Sequence, residues 1–486
     1  MRLNRLILNV IIFFMVPFIM VAAPIVVQPH KVVRRIDAKF FGSNVSFWIN
    51  DAAALKDGKI ADALKKLPAG LLRFPGGAVS DNYYWETKTV ADPRLYPFRA
   101  GSGALDFDKF MALVRRVGAQ AVIVVNTATW VWRGDIAGGV KEAADWVRYC
   151  KTKGYQVRYW EIGNETYLHT AMTAHEYAQL VNRYATAMKA VDPAIQIGAN
   201  GPWYSYGVGL KDRLPASERA KLDKLPGSGD PLDTIREISN KARRAYRRTR
   251  PPIGAAEWWP TLARICGRHI NFLIVHDYFY SPKLIVQLPT QLKLIEADFR
   301  NQYPGKTFPI LMSEFNVGRN VAASQQPLEI FDIVGAMLKG GVGWSCFWPL
   351  RFPRGNWRFK ALLYLRSKQP EPAYEMMHFL ARRLIGAKLV KTDRNNVGAY
   401  AVRRGGKLTV FVSGRTLKRL ETIRIKVLET RSQNATVLHC RIGDNGSIKI
   451  RRTHALFHGD AINILVRPRQ FAVVNIPLHP PKSSAR

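Results

Sequence analysis

The sequence predicts an α/β protein: a (β/α)8 TIM barrel carrying an accessory antiparallel β-sandwich. Three observations predict it. Eight short apolar runs bounded by turn residues are separated by amphipathic helical stretches, no Gly-x-Gly-x-x-Gly loop follows the first of them, and beyond residue 380 helices give way to closely spaced alternating strands. Buried strands that alternate with helices pair in parallel, and eight such units close into a barrel. The missing glycine fingerprint removes the doubly wound sheet.

Taken in order, Arg2 and Arg5 precede an apolar run over residues 6–21 and the small pair Ala22-Ala23. This is the order of a secretory signal peptide (1–23) and predicts a secreted or periplasmic protein. Pro24 follows the natural cut and suits a peptidase badly, so an uncleaved membrane anchor is the alternative, although the run is short of the about 20 residues that span a bilayer. Residues 24–36 hold Ile25-Val26-Val27 and Val32-Val33, short strands expected to join the C-terminal sandwich.

The barrel is expected over 37–380. Its strands are read at 40–48, 70–74, 119–126, 156–165, 195–200, 270–278, 309–315 and 342–348, with helices at 106–117, 140–153, 174–191 and 327–339 among them. The connection at 203–252 is long and carries a basic run over 241–248, read as a solvated face in preference to a lid. After a helix at 376–385, the sandwich (381–479) begins with a hairpin turning at Gly405-Gly406 and continues with strands at 422–428, 435–441, 447–452, 461–466 and 471–476. The tail, 480–486, reads as disordered.

Composition narrows the function classes. The 486 residues are 47% apolar and 22% charged, ordinary for a chain with a large core, but 73 basic residues stand against 36 acidic ones, a net +37. Such an excess favours acidic partners: an acidic glycan, or peripheral association with an anionic surface. No nucleic-acid motif accompanies it, so no nucleic-acid partner is expected. Cys150, Cys266, Cys346 and Cys440 are far apart with no Cys-x-x-Cys pair, so no metal site and no cofactor are expected, while a disulfide among them stays open.

The chemistry gathers on two strands. Tyr159-Trp160-Glu161-Ile162-Gly163-Asn164-Glu165 is an apolar strand opening into an amide and a carboxylate, and Pro309-Ile310-Leu311-Met312-Ser313-Glu314-Phe315-Asn316 repeats the shape. Two glutamates at the ends of two parallel strands can face each other across a mouth, the arrangement that breaks a glycosidic bond. Glu161 and Glu257 are competing carboxylates. Glu161 shares a strand face with Gly163 and Glu165, so it is expected inside the barrel as an ion-pair partner.

These residues carry a resemblance. Leu72-Arg73-Phe74-Pro75-Gly76-Gly77, with Tyr84-Trp85-Glu86 behind it, resembles the second-strand motif of the α-L-arabinofuranosidases of glycoside hydrolase family 51. Gly163-Asn164-Glu165 is similar to their acid/base motif, His276-Asp277-Tyr278 to their sixth-strand motif, and Ser313-Glu314-Phe315-Asn316 to their nucleophile strand. The resemblance covers the chain from about Phe40 to the end of the sandwich and extends to clan A, the retaining barrel glycosidases with glutamates on strands four and seven.

It implies a retaining hydrolase in which Glu314 is the nucleophile and Glu165 the acid/base. Asn164 would contact the hydroxyl beside the anomeric carbon, and Arg73 and Tyr278 would hold Glu314 ionised. Asn126, His276, Trp348 and Trp85 would line the sugar site. The family's first strand carries a glutamate that grips arabinose, whereas residues 41–48 here have no carboxylate, which leaves the sugar open. The alternatives are a β-xylosidase or a heparanase-like β-glucuronidase acting on acidic glycans. Outside enzymes, the alternative is a catalytically inactive carbohydrate-binding protein.

Overall fold

The computed structural model describes residues 23–47, 55–90, 105–170, 172–203, 255–318, 321–352, 360–393, 398–430 and 432–478. The N-terminal apolar run, Trp48, the long connection beyond Trp203 with its basic run, and the tail lie outside them.

Strand β1, Ile25–Arg35, is followed by eight strand–helix units: β2 Gly42–Asn44, α1 Lys59–Lys66, β3 Leu71–Phe74, α2 Phe107–Val117, β4 Gln120–Val125, α3 Ile136–Thr152, β5 Tyr159–Ile162 and α4 Ala174–Val191. They continue with β6 Gln196–Asn200, α5 Ala255–Cys266, β7 Phe272–Asp277, α6 Pro282–Gln302, β8 Ile310–Phe315, α7 Gln326–Lys339, β9 Val342–Phe347 and α8 Pro372–Leu384. Strands β2 to β9 form a closed barrel in chain order, every neighbouring pair parallel. All eight predicted strands are present.

Local chemistry sets the helix ends. In α2 the Asp106 carboxylate accepts the Lys109 N–H at 2.9 Å, and Gly118 closes the helix at φ 76° while Phe107, Phe110, Leu113 and Val114 turn to the core. In α4 Thr173 and Glu176 form a reciprocal capping box.

Inside the barrel, Leu71, Val122, Tyr159, Phe272, Ile274, Leu311 and Cys346 pack with Trp344 into an apolar plug. The barrel is therefore filled, not hollow. Because successive strand residues alternate faces, the inward positions two residues further along come next towards the mouth.

The C-terminal domain comprises β10 Lys388–Asp393, β11 Ala399–Arg404, β12 Lys407–Ser413, β13 Glu421–Val427, β14 Asn434–Ile442, β15 Ile448–Leu456, β16 Ala461–Val466 and β17 Gln470–Pro477. With β1 they make one nine-stranded sheet, ordered β15-β14-β17-β12-β11-β10-β1-β13-β16. Its two wings share an apolar core that includes Val437, Ile425 and Ile464, so the sheet folds over on itself. It is antiparallel except where β1 runs parallel to β13. The two short runs expected before the barrel are one strand with irregular register between Gln28 and Val32, and β10 was not anticipated.

The C-terminal sheet packs against α7 of the barrel. Phe331 of α7 meets Tyr400, Phe411 and Phe471, and Arg415 pairs with the buried Asp332. All four cysteines are buried free thiols. Among the described residues no helix is long and apolar enough to cross a membrane.

Candidate active site

Two residues beyond the apolar plug, the same strands turn polar. Arg73 follows Leu71, Glu161 follows Tyr159, His276 follows Ile274 and Ser313 follows Leu311, each at the next inward position. The parity that predicted Glu161 inside the barrel therefore holds for these four residues.

Arg73, fully buried, is the hub. Its Nε donates to Glu161 Oε2 at 2.7 Å and its Nη2 to Glu161 Oε1 at 3.1 Å, a two-point grip. Nη2 also donates to Asn164 Oδ1 at 2.8 Å, and Nη1 to Asn44 Oδ1 at 2.9 Å and Glu314 Oε1 at 2.7 Å. Burial alone would pull the guanidinium down, but Glu161 and Glu314 outweigh it and hold it charged. Asn44 is fixed in turn by its amide, which donates to the Ser313 carbonyl at 2.8 Å.

Glu314 is brought inward by an irregularity. The register of β8 against β7 shifts between Met312 and Glu314, so Ser313 and Glu314 both reach the interior although they are adjacent. Bulges re-aim side chains in this way beside active sites. The Tyr278 hydroxyl donates to Glu314 Oε2, completing its support. Burial first, and then the Glu314 charge, raise the Tyr278 phenol well above its ordinary value, so it remains a donor.

Glu165 sits just past β5 with φ 43°, a left-handed conformation uncommon for a side-chain-bearing residue and a mark of functional sites. Gly163, at φ 70°, admits no side chain, because a Cβ would collide with the Thr127 and Thr166 hydroxyls. Asp81 Oδ1 accepts the Asn164 backbone N–H at 3.2 Å. The Asn200 amide braces the same turn, donating to the carbonyls of Ile162 and Gly163 at 2.9 Å each.

His276 lies between the two carboxylates. Its Nδ1 is 3.2 Å from Glu165 Oε1 and 4.0 Å from Glu314 Oε1, and its Nε2 is 2.6 Å from Ser313 Oγ. Burial lowers the imidazole pKa, but Glu314 and then Glu165 outweigh it and hold it above 6.5. The Glu314 side chain is 3% exposed and that of Glu165 18%, so one carboxylate is enclosed and the other reaches the mouth.

The structure thus brings together Arg73, Asn164, Glu165, His276, Tyr278 and Glu314. Asn164 Nδ2 and Asn126 Nδ2 are buried without a hydrogen-bond partner, while Asn126 Oδ1 accepts from Thr129 N at 3.3 Å. Trp348 is nearly buried and packs against Gly77, where a Cβ would collide with its ring. Trp85, expected to line the sugar site, does not join the network. Its ring stacks on Trp146 at 5.8 Å and its indole donates to the Glu142 carbonyl at 3.2 Å, because large apolar rings near a helix are driven into the interhelical core. Sequence reasoning gave no role to Asn44, Asp81, Asn200 or Ser313. Inward parity was the available signal for Asn44 and Ser313. Among the described residues no group of three or more His, Cys, Asp or Glu could hold a metal ion.

Comparison with known proteins gives matches of one kind. The family profile described as "Alpha-L-arabinofuranosidase 1 domain" matches residues 63–213. α-L-Arabinofuranosidase C of Emericella nidulans is 26% identical over 197 residues, 34% of this chain and 37% of that protein. An intracellular exo-α-(1→5)-L-arabinofuranosidase of Acetivibrio thermocellus is 25% identical over 167 residues, 29% of this chain and 32% of that protein. The alignment thus spans about a third of the length of these relatives. Among solved structures, the α-L-arabinofuranosidase of Thermotoga maritima superposes with TM-score 0.63 at 19% identity, covering 94% of this chain and 100% of that one. The family 51 enzyme of Thermotoga petrophila gives TM-score 0.65 at 18% identity, covering 93% and 99%. The structural likeness is one of fold. Sequence and fold together liken the chain to clan A glycoside hydrolases of the family 51 arabinofuranosidase type.

Proposed function

We propose that this chain is a retaining glycoside hydrolase of the α-L-arabinofuranosidase type, acting on an oligo- or polysaccharide, with Glu314 as nucleophile and Glu165 as acid/base. The observation that carries this reading is the asymmetry of the two carboxylates around His276. Glu314 is enclosed and receives donors from Arg73 and Tyr278, and Glu165 stands beside it at the open mouth.

In the first step a Glu314 oxygen attacks the anomeric carbon as the bond to the leaving oxygen breaks, and Glu165 gives that oxygen its proton. In the second, Glu165 takes a proton from water, the water oxygen attacks the anomeric carbon, and the ester bond to Glu314 breaks. Arg73 and Tyr278 both donate to Glu314 and hold it oriented for attack. The unpartnered Asn164 Nδ2 is available to the sugar hydroxyl beside the reacting carbon, its other end held by Arg73. Formation of the ester removes the Glu314 charge, a like charge that opposes ionisation of a nearby carboxyl, and so eases the change of Glu165 from acid to base.

The arabinofuranosidase activity for which the matched relatives are named, together with the four sequence motifs, supports arabinofuranose as the sugar. The first strand offers no carboxylate to grip it, since Asn44 stands there and is engaged with Arg73. The test is turnover of nitrophenyl α-L-arabinofuranoside, β-D-xyloside and β-D-glucuronide, with the configuration of the first-formed product read by proton NMR. Cleavage of the arabinoside with retained configuration is expected. Inverted product overturns the mechanism, preference for either other glycoside overturns the sugar, and binding without turnover overturns the enzyme. We propose export as well, on the Arg2, Arg5 and apolar-run order at the N-terminus, testable by fractionating cells that produce the full chain.

A further inference from the structure

Among the described residues, one large concavity shares no lining residue with the barrel mouth and differs from it in chemistry. A cleft of about 800 Å3 lies where α8 meets the C-terminal sheet, lined by Arg382 and Arg383 of the helix, Arg404 and Lys407 at the β11–β12 hairpin, and Arg452 of β15. No carboxylate lines it, and among the described residues none of the five forms an ion pair. Like charges converge there without neutralisation, which costs stability at low ionic strength and gives a positive potential focused in a concave site.

Its base is built. Arg383 lies over the Phe379 ring at 3.6 Å and donates to the Phe379 carbonyl at 2.9 Å, and Arg404 donates to the Ile385 carbonyl. These two are held by main-chain acceptors, leaving Arg382, Lys407 and Arg452 exposed on the rim. Thr409, Thr436 and Asn475 add hydroxyl and amide groups between the cations. Strand β15 continues the charge on its other face, where Lys449 and Arg451 join Arg441 and Arg467 around a second cleft of about 330 Å3.

We propose that the α8–sheet cleft is a binding site for a carboxylated polysaccharide, a polyuronate chain, which tethers the enzyme to its substrate matrix away from the catalytic mouth. Polar groups interspersed with cations suit hydroxyl-rich, carboxylate-bearing sugar units. No aromatic ring lines the cleft, as base stacking onto single-stranded nucleic acid requires, and its apolar lining, Val402, Leu438 and Pro477, is too small a patch to seat in a bilayer. The choice of a polysaccharide among polyanions rests on the glycosidase reading. The cations themselves do not.

The test is binding of the full chain to polygalacturonate, neutral arabinan, duplex DNA and phosphatidylserine vesicles across a salt series, with nitrophenyl arabinofuranoside hydrolysis measured in parallel. Polygalacturonate is expected to bind best. Lys407→Glu with Arg452→Glu should weaken it about tenfold and flatten its salt dependence while aryl-glycoside turnover is unchanged. Lys407→Gln with Arg452→Gln serves if the reversal does not fold, with a smaller loss in the same direction. Unchanged polygalacturonate binding in the folded variant overturns the site. DNA or vesicles binding as tightly as polygalacturonate, or arabinan binding equally, overturns the ligand class. If no glycoside is cleaved yet charge-dependent polyuronate binding persists, the catalytic reading and the tethering role fail and the binding site stands.

Discussion

Two adjacent layers of one barrel bury their residues for opposite reasons. The lower layer, Leu71, Val122, Tyr159, Phe272, Ile274 and Leu311, is apolar and stabilises by leaving water. The layer above it, towards the mouth, is a charged network of Arg73, Glu161, Glu314, Asn164 and Asn44. Burying those charges gains little or nothing over an apolar filling of the same volume. The upper layer therefore exists to fix a carboxylate. The lower one supplies the rigid floor that lets it be fixed.

Substitutions separate the two layers, and the largest effect belongs above. Glu314→Ala is expected to lower turnover by about four orders of magnitude or more while thermal stability stays near that of the parent, read by steady-state kinetics and calorimetry. Turnover within tenfold of the parent would dissolve the distinction.

Arg73→Met comes next. It leaves Glu161 buried without its two-point partner, a loss of about 3–5 kcal/mol in stability by denaturant titration, along with most of the turnover. Adding Glu161→Leu should return most of the stability and none of the turnover, since Glu314 would still lack its cation. Recovery of both would mean that the arginine serves packing alone.

In the lower layer, Leu311→Ala should cost about 2–5 kcal/mol through lost burial and a cavity, with turnover per folded molecule unchanged. A large fall in turnover with intact folding would show that the floor does more than support.

The smallest effect tests a charge at the junction. Asp277 is buried, and burial raises its carboxyl to about 7, with hydrogen bonds from Phe279 N and Trp203 opposing the rise. A carboxyl whose folded pKa lies above its unfolded value near 3.9 binds more protons folded than unfolded, so its contribution is complete below pH about 3.9 and is lost as pH rises to about 7. Asp277→Asn should therefore flatten the decline in melting temperature across that window. An unchanged slope would place the titration elsewhere.

How much of this was legible beforehand depended on range along the chain. The eight barrel strands and the inward side of Glu161 follow from local periodicity, which needs only neighbours. The pairing of Glu165 with Glu314 followed from where each strand ends. The hub could be named but not connected: Arg73 reaches Asn44, Glu161, Asn164 and Glu314 on four other segments, a convergence that no local pattern encodes. The register shift before Glu314 was equally invisible, since Leu311-Met312-Ser313 reads as regular strand. Trp85 shows the opposite error. Its closeness in sequence to the Arg73 motif suggested the sugar site, but a nearby Trp146 offered a larger apolar contact. Lys388–Asp393 was passed over because charged residues flank its short apolar pair.

The central claim is that Glu314 is the group that bonds to sugar. The direct measurement is incubation with an arabinofuranose-configured cyclitol epoxide, followed by digestion and mass spectrometry of the labelled peptide. One label is expected, on Glu314, with inactivation in step with its appearance and neither in Glu314→Ala. A label on Glu165 or Glu161, or full inactivation with no covalent adduct, would contradict it.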